Sequence, residues 1–129
     1  MANIDAKLIL AENLTIDATP KTSTAVYVGK GRAYRPLLID VALTAAFAAG
    51  KKITGITVQT ASDEAFTTPV DLFTFTPAAG INQEVAGKTL MQAFLPFEHD
   101  EWIRLSMAAT ADPSGGKVFA SIKPDVKIG

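Results

Sequence analysis

Residues 37–44 read Leu37-Leu38-Ile39-Asp40-Val41-Ala42-Leu43-Thr44, and every second position from Leu37 onward holds Leu, Ile or Val. Side chains of a β-strand point alternately to the two faces of its sheet, so this period of two predicts a strand with one buried face. The same period runs through residues 102–109 and through residues 117–123. The pattern indicates a fold built from strands.

Shorter runs of the same kind extend the pattern along the chain. They predict strands at Ser23–Val28, Ile56–Val58, Leu72–Phe75 and Leu90–Leu95, with Gly55 as a bulge or close-packing point. Turns rich in Gly and Pro separate the runs at residues 29–31, 49–50, 68–69, 77–80, 95–96 and 112–116. About eight short strands at a spacing of roughly ten residues are typical of an antiparallel β-sandwich or a small barrel.

Two segments have helical features that compete with this interpretation. Residues 42–49 are rich in alanine, a strong helix former, but they continue the strand alternation and end at Gly50. We therefore expect a strand end followed by a loop, because short isolated helices are marginal. Residues 62–66 combine a capping side chain with acids and predict no more than one helical turn. The expected fold contains little or no helix.

The composition is that of one ordinary globular domain. The chain has 129 residues, of which 48% are hydrophobic, enough to form a core. Only 19% are charged, and 12 Lys and Arg face 13 Asp and Glu, so no basic field favours nucleic acid. The 14 threonines supply much of the polar surface. Because cysteine is absent, disulfides and zinc–thiolate sites are excluded.

The alternation of apolar and polar residues is weaker at the two ends of the chain. Residues 1–20 alternate poorly and predict an edge strand or an arm that orders against a partner. In the tail, residues 123–129, Pro124 favours a sheet edge or an extended arm. The start has no basic region followed by an apolar run, and no apolar stretch approaches the ~20 residues of a membrane span. We expect a soluble single-domain protein made in the cytoplasm, with no membrane partner.

Few residues offer catalytic or metal-binding chemistry. The one histidine, His99, has Glu98, Asp100 and Glu101 beside it. Adjacent side chains on an extended backbone point apart, so a solvated turn is favoured over a metal site. No Gly-x-Ser-x-Gly elbow or complete phosphate loop is present. We predict no catalytic, metal or cofactor site, although a pair of carboxylates distant in sequence remains open.

Two places have the residue types that are enriched at interface centres, namely Arg, Tyr and Trp. Trp102 and Arg104 share the strand face opposite the apolar one, where Trp102 is either a contact residue or a partly buried anchor. The loop from residue 30 to residue 36 is the densest cationic segment and is either a contact loop or a solvated turn. Its candidate contact residues are Lys30, Arg32, Tyr34 and Arg35.

Several short motifs lie between Leu37 and Ile122. They are Leu43-Thr44-Ala45-Ala46-Phe47-Ala48-Ala49-Gly50, then Ile56-Thr57-Val58-Gln59-Thr60-Ala61-Ser62-Asp63-Glu64-Ala65-Phe66, then Leu95-Pro96 with Trp102-Ile103-Arg104-Leu105, and finally Gly116-Lys117-Val118-Phe119-Ala120. In the order and spacing of these motifs the chain resembles the jelly-roll capsid cement (decoration) proteins of tailed phages.

The resemblance implies an antiparallel jelly-roll β-sandwich of about eight strands. It also implies a structural virion protein that is made in the bacterial cytoplasm and binds the outer surface of the capsid. There it would stabilise the mature shell by bridging subunits of an HK97-type major capsid protein. A homo-oligomer, dimer or trimer, is expected, with terminal arms, the 30–36 loop and strand edges as contact elements. Two other classes remain open: a carbohydrate- or receptor-binding module of a phage particle, and a small enzyme built on His99.

Overall fold

Nine β-strands account for most of the residues that the structure describes. The computed structural model describes residues 8–16, 21–29, 37–96, 98–110 and 115–124. The strands are β1 (Ile9–Thr15), β2 (Lys21–Thr22), β3 (Val26–Tyr27), β4 (Leu37–Ala45), β5 (Ile53–Ala61), β6 (Val70–Phe75), β7 (Thr89–Phe94), β8 (Trp102–Ala109) and β9 (Lys117–Pro124). Every strand pair among them is antiparallel.

The strands form two sheets with the order of a jelly roll. Sheet A has the order β1-β9-β4-β7, and sheet B has the order β2-β8-β5-β6, with β3 also paired to β8. Because β5 occupies one side of β8, β2 and β3 lie along the other side and together take one strand position. Each sheet then has four positions, as in a double-sheet jelly roll. The predicted antiparallel jelly-roll β-sandwich of about eight strands is confirmed.

The strand predicted at Ser23–Val28 is confirmed at β3 (Val26–Tyr27), whereas β2 (Lys21–Thr22) lies before the predicted range, and Ser23 interrupts the ladder between them. Its N–H donates to the Leu105 carbonyl at 2.8 Å, while the Leu105 N–H donates to the Ser23 hydroxyl oxygen, also at 2.8 Å. A side-chain oxygen thus replaces the main-chain acceptor that a continuous strand would provide. This local competition between hydroxyl and backbone is a known property of serine.

Two other local predictions can be compared with the structure. The alanine-rich segment ends β4 at Ala45 and continues as a loop to a turn at Gly50, as expected. A register shift lies between Ile53 and Gly55, which confirms a bulge at this point of β5. The segment 62–66 forms a turn without a helix, because the backbone of Phe66 has a positive φ of 52°.

The described parts of the two chain ends belong to sheet A. Ile9–Thr15 forms β1, an edge strand paired with β9, which was one of the two alternatives for the N-terminal segment. Pro124 ends β9, which lies between β1 and β4. Among the described residues, Pro124 pairs with Leu37 of β4, and the last pair between β1 and β9 on that side is Ile9 with Ser121. The described part of the predicted tail, Lys123 and Pro124, thus continues an inner strand and does not lie at a sheet edge.

The core lies between the sheets and is built from the alternating residues of the long strands. These residues, each at most 1% exposed, are Ile39, Val41 and Leu43 of β4, Ile56 and Val58 of β5, Ile103, Leu105 and Met107 of β8, and Val118, Ala120 and Ile122 of β9. One continuous apolar cluster contains them all. Among the described residues, no helix has the length and apolarity to cross a membrane.

Phe47 packs closely against Gly116 at the boundary of the core. Phe47 follows β4 and is buried, and Gly116 immediately precedes β9 and is also buried. A Cβ atom placed on Gly116 would overlap Cε1 of the Phe47 ring. Closely packed interiors leave no room for such an overlap, so the phenylalanine requires glycine at this position.

Replacing Gly116→Ala is therefore expected to lower the free energy of unfolding by about 1–3 kcal/mol, the usual cost of overpacking. Urea unfolding followed by circular dichroism measures it. The matched control is Gly80→Ala, where a Cβ would meet nothing within 4 Å. The double variant Phe47→Leu with Gly116→Ala should be less destabilised than the sum of its single changes. Equal stability of Gly116→Ala and wild type would contradict this packing.

Candidate functional site

The pairing of β5 with β8 decides which side chains reach the outer surface of sheet B. Gln59 lies opposite Arg104, and Ala61 lies opposite Trp102. The intervening Ile103 is fully buried, whereas Trp102 and Arg104 are partly exposed. Since alternate residues of a strand face opposite sides, Trp102 and Arg104 share the outer face. This confirms the placement that the sequence predicted for them.

A row of hydrogen-bonded side chains crosses three strands on this face. The Arg104 Nε–H donates to Gln59 Oε1 at 2.7 Å, and Gln59 Nε2 donates to Asp71 Oδ1 at 2.8 Å. Arg104 belongs to β8, Gln59 to β5 and Asp71 to β6. The amide of Gln59 uses its oxygen on one side and its nitrogen on the other. Its orientation is therefore determined, and it holds one edge of the guanidinium in place.

The ring of Phe66 packs against the same guanidinium. Cζ of Arg104 lies 4.3 Å from the centre of the Phe66 ring, within the range of a cation–π contact. The φ of 52° at Phe66 lies in the left-handed region, where a bulky residue is rare. Such a backbone costs on the order of 1–3 kcal/mol, so the surrounding structure must impose it.

The turn that precedes Phe66 imposes this conformation through Asp63. The Phe66 N–H donates to the Asp63 carbonyl at 3.1 Å. The side chain of Asp63 accepts a hydrogen bond from the Thr67 hydroxyl at 2.7 Å and another from the Thr67 N–H at 3.3 Å. Residues 59–66 belong to one of the stretches that carry the resemblance. Gln59 at its start thus provides the amide bonded to Arg104, and Phe66 at its end provides the ring in contact with Arg104.

Trp102 and Tyr27 form an aromatic pair on the same outer face as Arg104. Their ring centroids are 5.3 Å apart with an interplanar angle of 73°, an edge-to-face arrangement. Tyr27 is 59% exposed. The buried hydroxyl of Thr60 fixes the start of β8, because it donates to the Trp102 carbonyl at 3.0 Å and accepts from the Asp100 N–H at 2.8 Å. The main chain of Trp102 is therefore held by Thr60, while its ring packs against an exposed tyrosine.

We call Tyr27, Gln59, Phe66, Asp71, Trp102 and Arg104 the outer-face cluster. Trp, Tyr and Arg dominate the residues that carry most binding energy in protein interfaces. Immobilising a flexible side chain on binding costs about 0.5–1.5 kcal/mol, and the contacts of Arg104 have already restricted it. The cluster is therefore suited to binding another surface.

The outer face of sheet A has a different character. Lys123 Nζ and Asp40 Oδ2 form an ion pair at 2.9 Å across β9 and β4. Phe94, in the edge strand β7, is an exposed aromatic residue on this sheet. Lys123 thus has a carboxylate partner within the chain, whereas Lys117 of the same strand is an exposed lysine. We favour sheet B as the candidate because its cation, Arg104, is an arginine held by an amide and an aromatic ring.

The predicted contact residues fall into two groups. Trp102 and Arg104 lie together in the outer-face cluster. Lys30, Arg32, Tyr34 and Arg35 lie outside the described residues. Sequence reasoning missed the other four members of the cluster, Tyr27, Gln59, Phe66 and Asp71. The alternation of β5 placed Gln59 on the outer face, but its pairing with Arg104, 45 residues away, left no signal in the sequence.

His99 makes a main-chain contact. Its Nδ1 lies 2.7 Å from the Asp100 carbonyl, which can only accept, so Nδ1 carries the hydrogen in this bond. Within the described ranges, no three His, Asp or Glu side chains are grouped so that they could hold a metal ion. The geometry around His99 adds no functional group to the outer-face cluster.

Comparison of the chain with protein-family models gave no match, and comparison with curated proteins gave none either. The candidate site is therefore argued from its own geometry.

Replacing Thr60→Val removes the hydroxyl that holds Asp100 and Trp102 while keeping the shape of the side chain. Two main-chain groups lose their partner, so the free energy of unfolding should fall by about 1–3 kcal/mol. The fluorescence of Trp102, the single tryptophan, should also shift as its position loosens. The control is Thr44→Val, an exposed threonine of β4. An unchanged spectrum together with unchanged stability would show that Thr60 does not position Trp102.

Proposed function

We propose that this protein is a structural component of a tailed-phage virion that binds the outer surface of the capsid. It stabilises the mature shell by bridging subunits of an HK97-type major capsid protein. The observation that carries the proposal is the outer-face cluster, in which Arg104 and Trp102 are held by Gln59, Phe66 and Thr60 before any partner arrives. The resemblance of several stretches to capsid cement proteins also supports it, and two of these stretches provide residues of the cluster.

The area of the outer face of sheet B limits how much of an interface this face can form by itself. Four strands spaced by about 4.8 Å, with about eight residues of about 3.3 Å each, span roughly 500 Å². A standard interface needs about 800 Å² on each partner. Sheet B alone thus provides more than half of that area. We assign the remainder to other parts of the chain or to a second copy of it.

Bridging gives a cement protein its effect on the shell. When one protein contacts several coat subunits, lattice expansion or loss of the protein must break many contacts at once. We propose a homo-oligomer, dimer or trimer, because linked copies on a repeating lattice bind with a higher effective concentration than single copies. Binding only after maturation follows if the site on the shell is assembled from more than one subunit.

The second candidate is a carbohydrate- or receptor-binding module of a phage particle. The exposure of Tyr27 next to Trp102 favours it, because exposed aromatic side chains are common binding groups. The two rings are steeply inclined, however, and do not form one flat platform. A glycan-array signal that disappears in the variant Trp102→Ala would favour this module over the cement function.

The direct test mixes the purified protein with mature shells of the matched phage that lack it. The expected result is saturable cosedimentation, together with a higher temperature of shell disruption. An unrelated protein of similar size and net charge serves as the control. Absence of binding to the matched mature shells would refute the cement function.

A further inference from the structure

The guanidinium of Arg104 has one end for which the described residues provide no acid. Its Nε–H donates to Gln59, and its Cζ lies over the Phe66 ring. Among the described residues, no carboxylate forms an ion pair with it. The acid in the same row, Asp71, directs Oδ1 to the Gln59 amide instead. The Nη groups, which form the fork that fits a carboxylate, are held in position by the contacts of the other atoms.

We propose that Arg104 binds the carboxylate of an Asp or Glu side chain on a partner protein. Charge complementarity is the reason: an oriented, partly buried cation offers two parallel hydrogen bonds in the geometry that a carboxylate accepts. Trp102 and Tyr27, on the same outer face, would pack on apolar atoms of the partner around that acid. The identity of the partner as the coat protein rests on the proposed function.

The surroundings favour a single carboxylate over a polyanion. The chain has a net charge of −1, and Asp71 lies in the same row as Arg104. A nucleic acid or an anionic membrane requires many cations in one field, whereas one carboxylate requires only one well-oriented arginine. The inclined rings of Tyr27 and Trp102 also suit apolar atoms of a protein partner better than the flat face of a sugar.

The first experiment needs no capsid. Trp102 is the single tryptophan, so its fluorescence reports on the site. The protein is titrated with N-acetylglutamate and, separately, with N-acetylglutamine at constant ionic strength. We expect a saturable change with N-acetylglutamate and at least about tenfold weaker binding of the uncharged amide. The response should vanish in Arg104→Gln. Equal responses to the two compounds, or an unchanged response in Arg104→Gln, would overturn the proposal.

The second experiment measures binding to the mature shells. Arg104→Gln should weaken binding about 30-fold or more, as loss of a central interface residue does. Arg104→Lys keeps the charge but loses the fork, so it should also bind more weakly than wild type. The matched control is Lys117→Gln, which removes one positive charge from an exposed position on β9 of sheet A and should bind as wild type does. Thermal unfolding checks that each variant is folded. If Arg104→Gln does not fold, the shell binding of Arg104→Lys tests the proposal instead.

The outcomes separate this inference from the function on which it rests. If wild type binds the shells and both Arg104 variants bind equally well, the carboxylate site is wrong and the cement function stands. If wild type binds no shell, the cement function is wrong, and the titration with N-acetylglutamate still decides the carboxylate site. A glycan-array signal that depends on Arg104 would assign the site to a sugar and overturn the proposal.

Discussion

The register between β5 and β8 is the constraint on which the rest of the molecule depends. It places Val58 against Leu105 inside the sandwich and Gln59 against Arg104 outside it. A shift by one residue would exchange the faces of a strand. It would bury a guanidinium without a partner and expose fully buried aliphatic side chains. Because both errors are costly, the same pairing that builds the core also assembles the outer-face cluster.

The outer-face cluster restrains Arg104 strongly, although only two of its members, Asp71 and Arg104, are charged. An isolated ion pair on a protein surface contributes little, typically ~0–1 kcal/mol, because water competes and two long side chains must be ordered. Arg104 differs from such a residue because an amide and an aromatic ring already order it. A partner that meets it would lose less conformational freedom. This is a physical basis for adhesion by a chain in which only 19% of the residues are charged.

Much of the fold followed from alternation alone. The period of two in residues 37–44 and 102–109 predicted long strands and placed Trp102 and Arg104 on the outer face. Contacts between distant segments could not be predicted in the same way. The close contact of Phe47 with Gly116 and the positive φ of Phe66 both arise from tertiary packing, which leaves no periodic signal. The interruption of the ladder at Ser23 arises from its hydroxyl bond to Leu105.

We propose that the protein adheres to the capsid through the outer face of sheet B. A cryo-EM map of the mature particle carrying the protein would show which sheet meets the coat. We expect sheet B to face the shell, with Tyr27, Trp102 and Arg104 buried against coat subunits. A map in which sheet B faces solvent, with the coat contacted only through sheet A, would refute adhesion through sheet B.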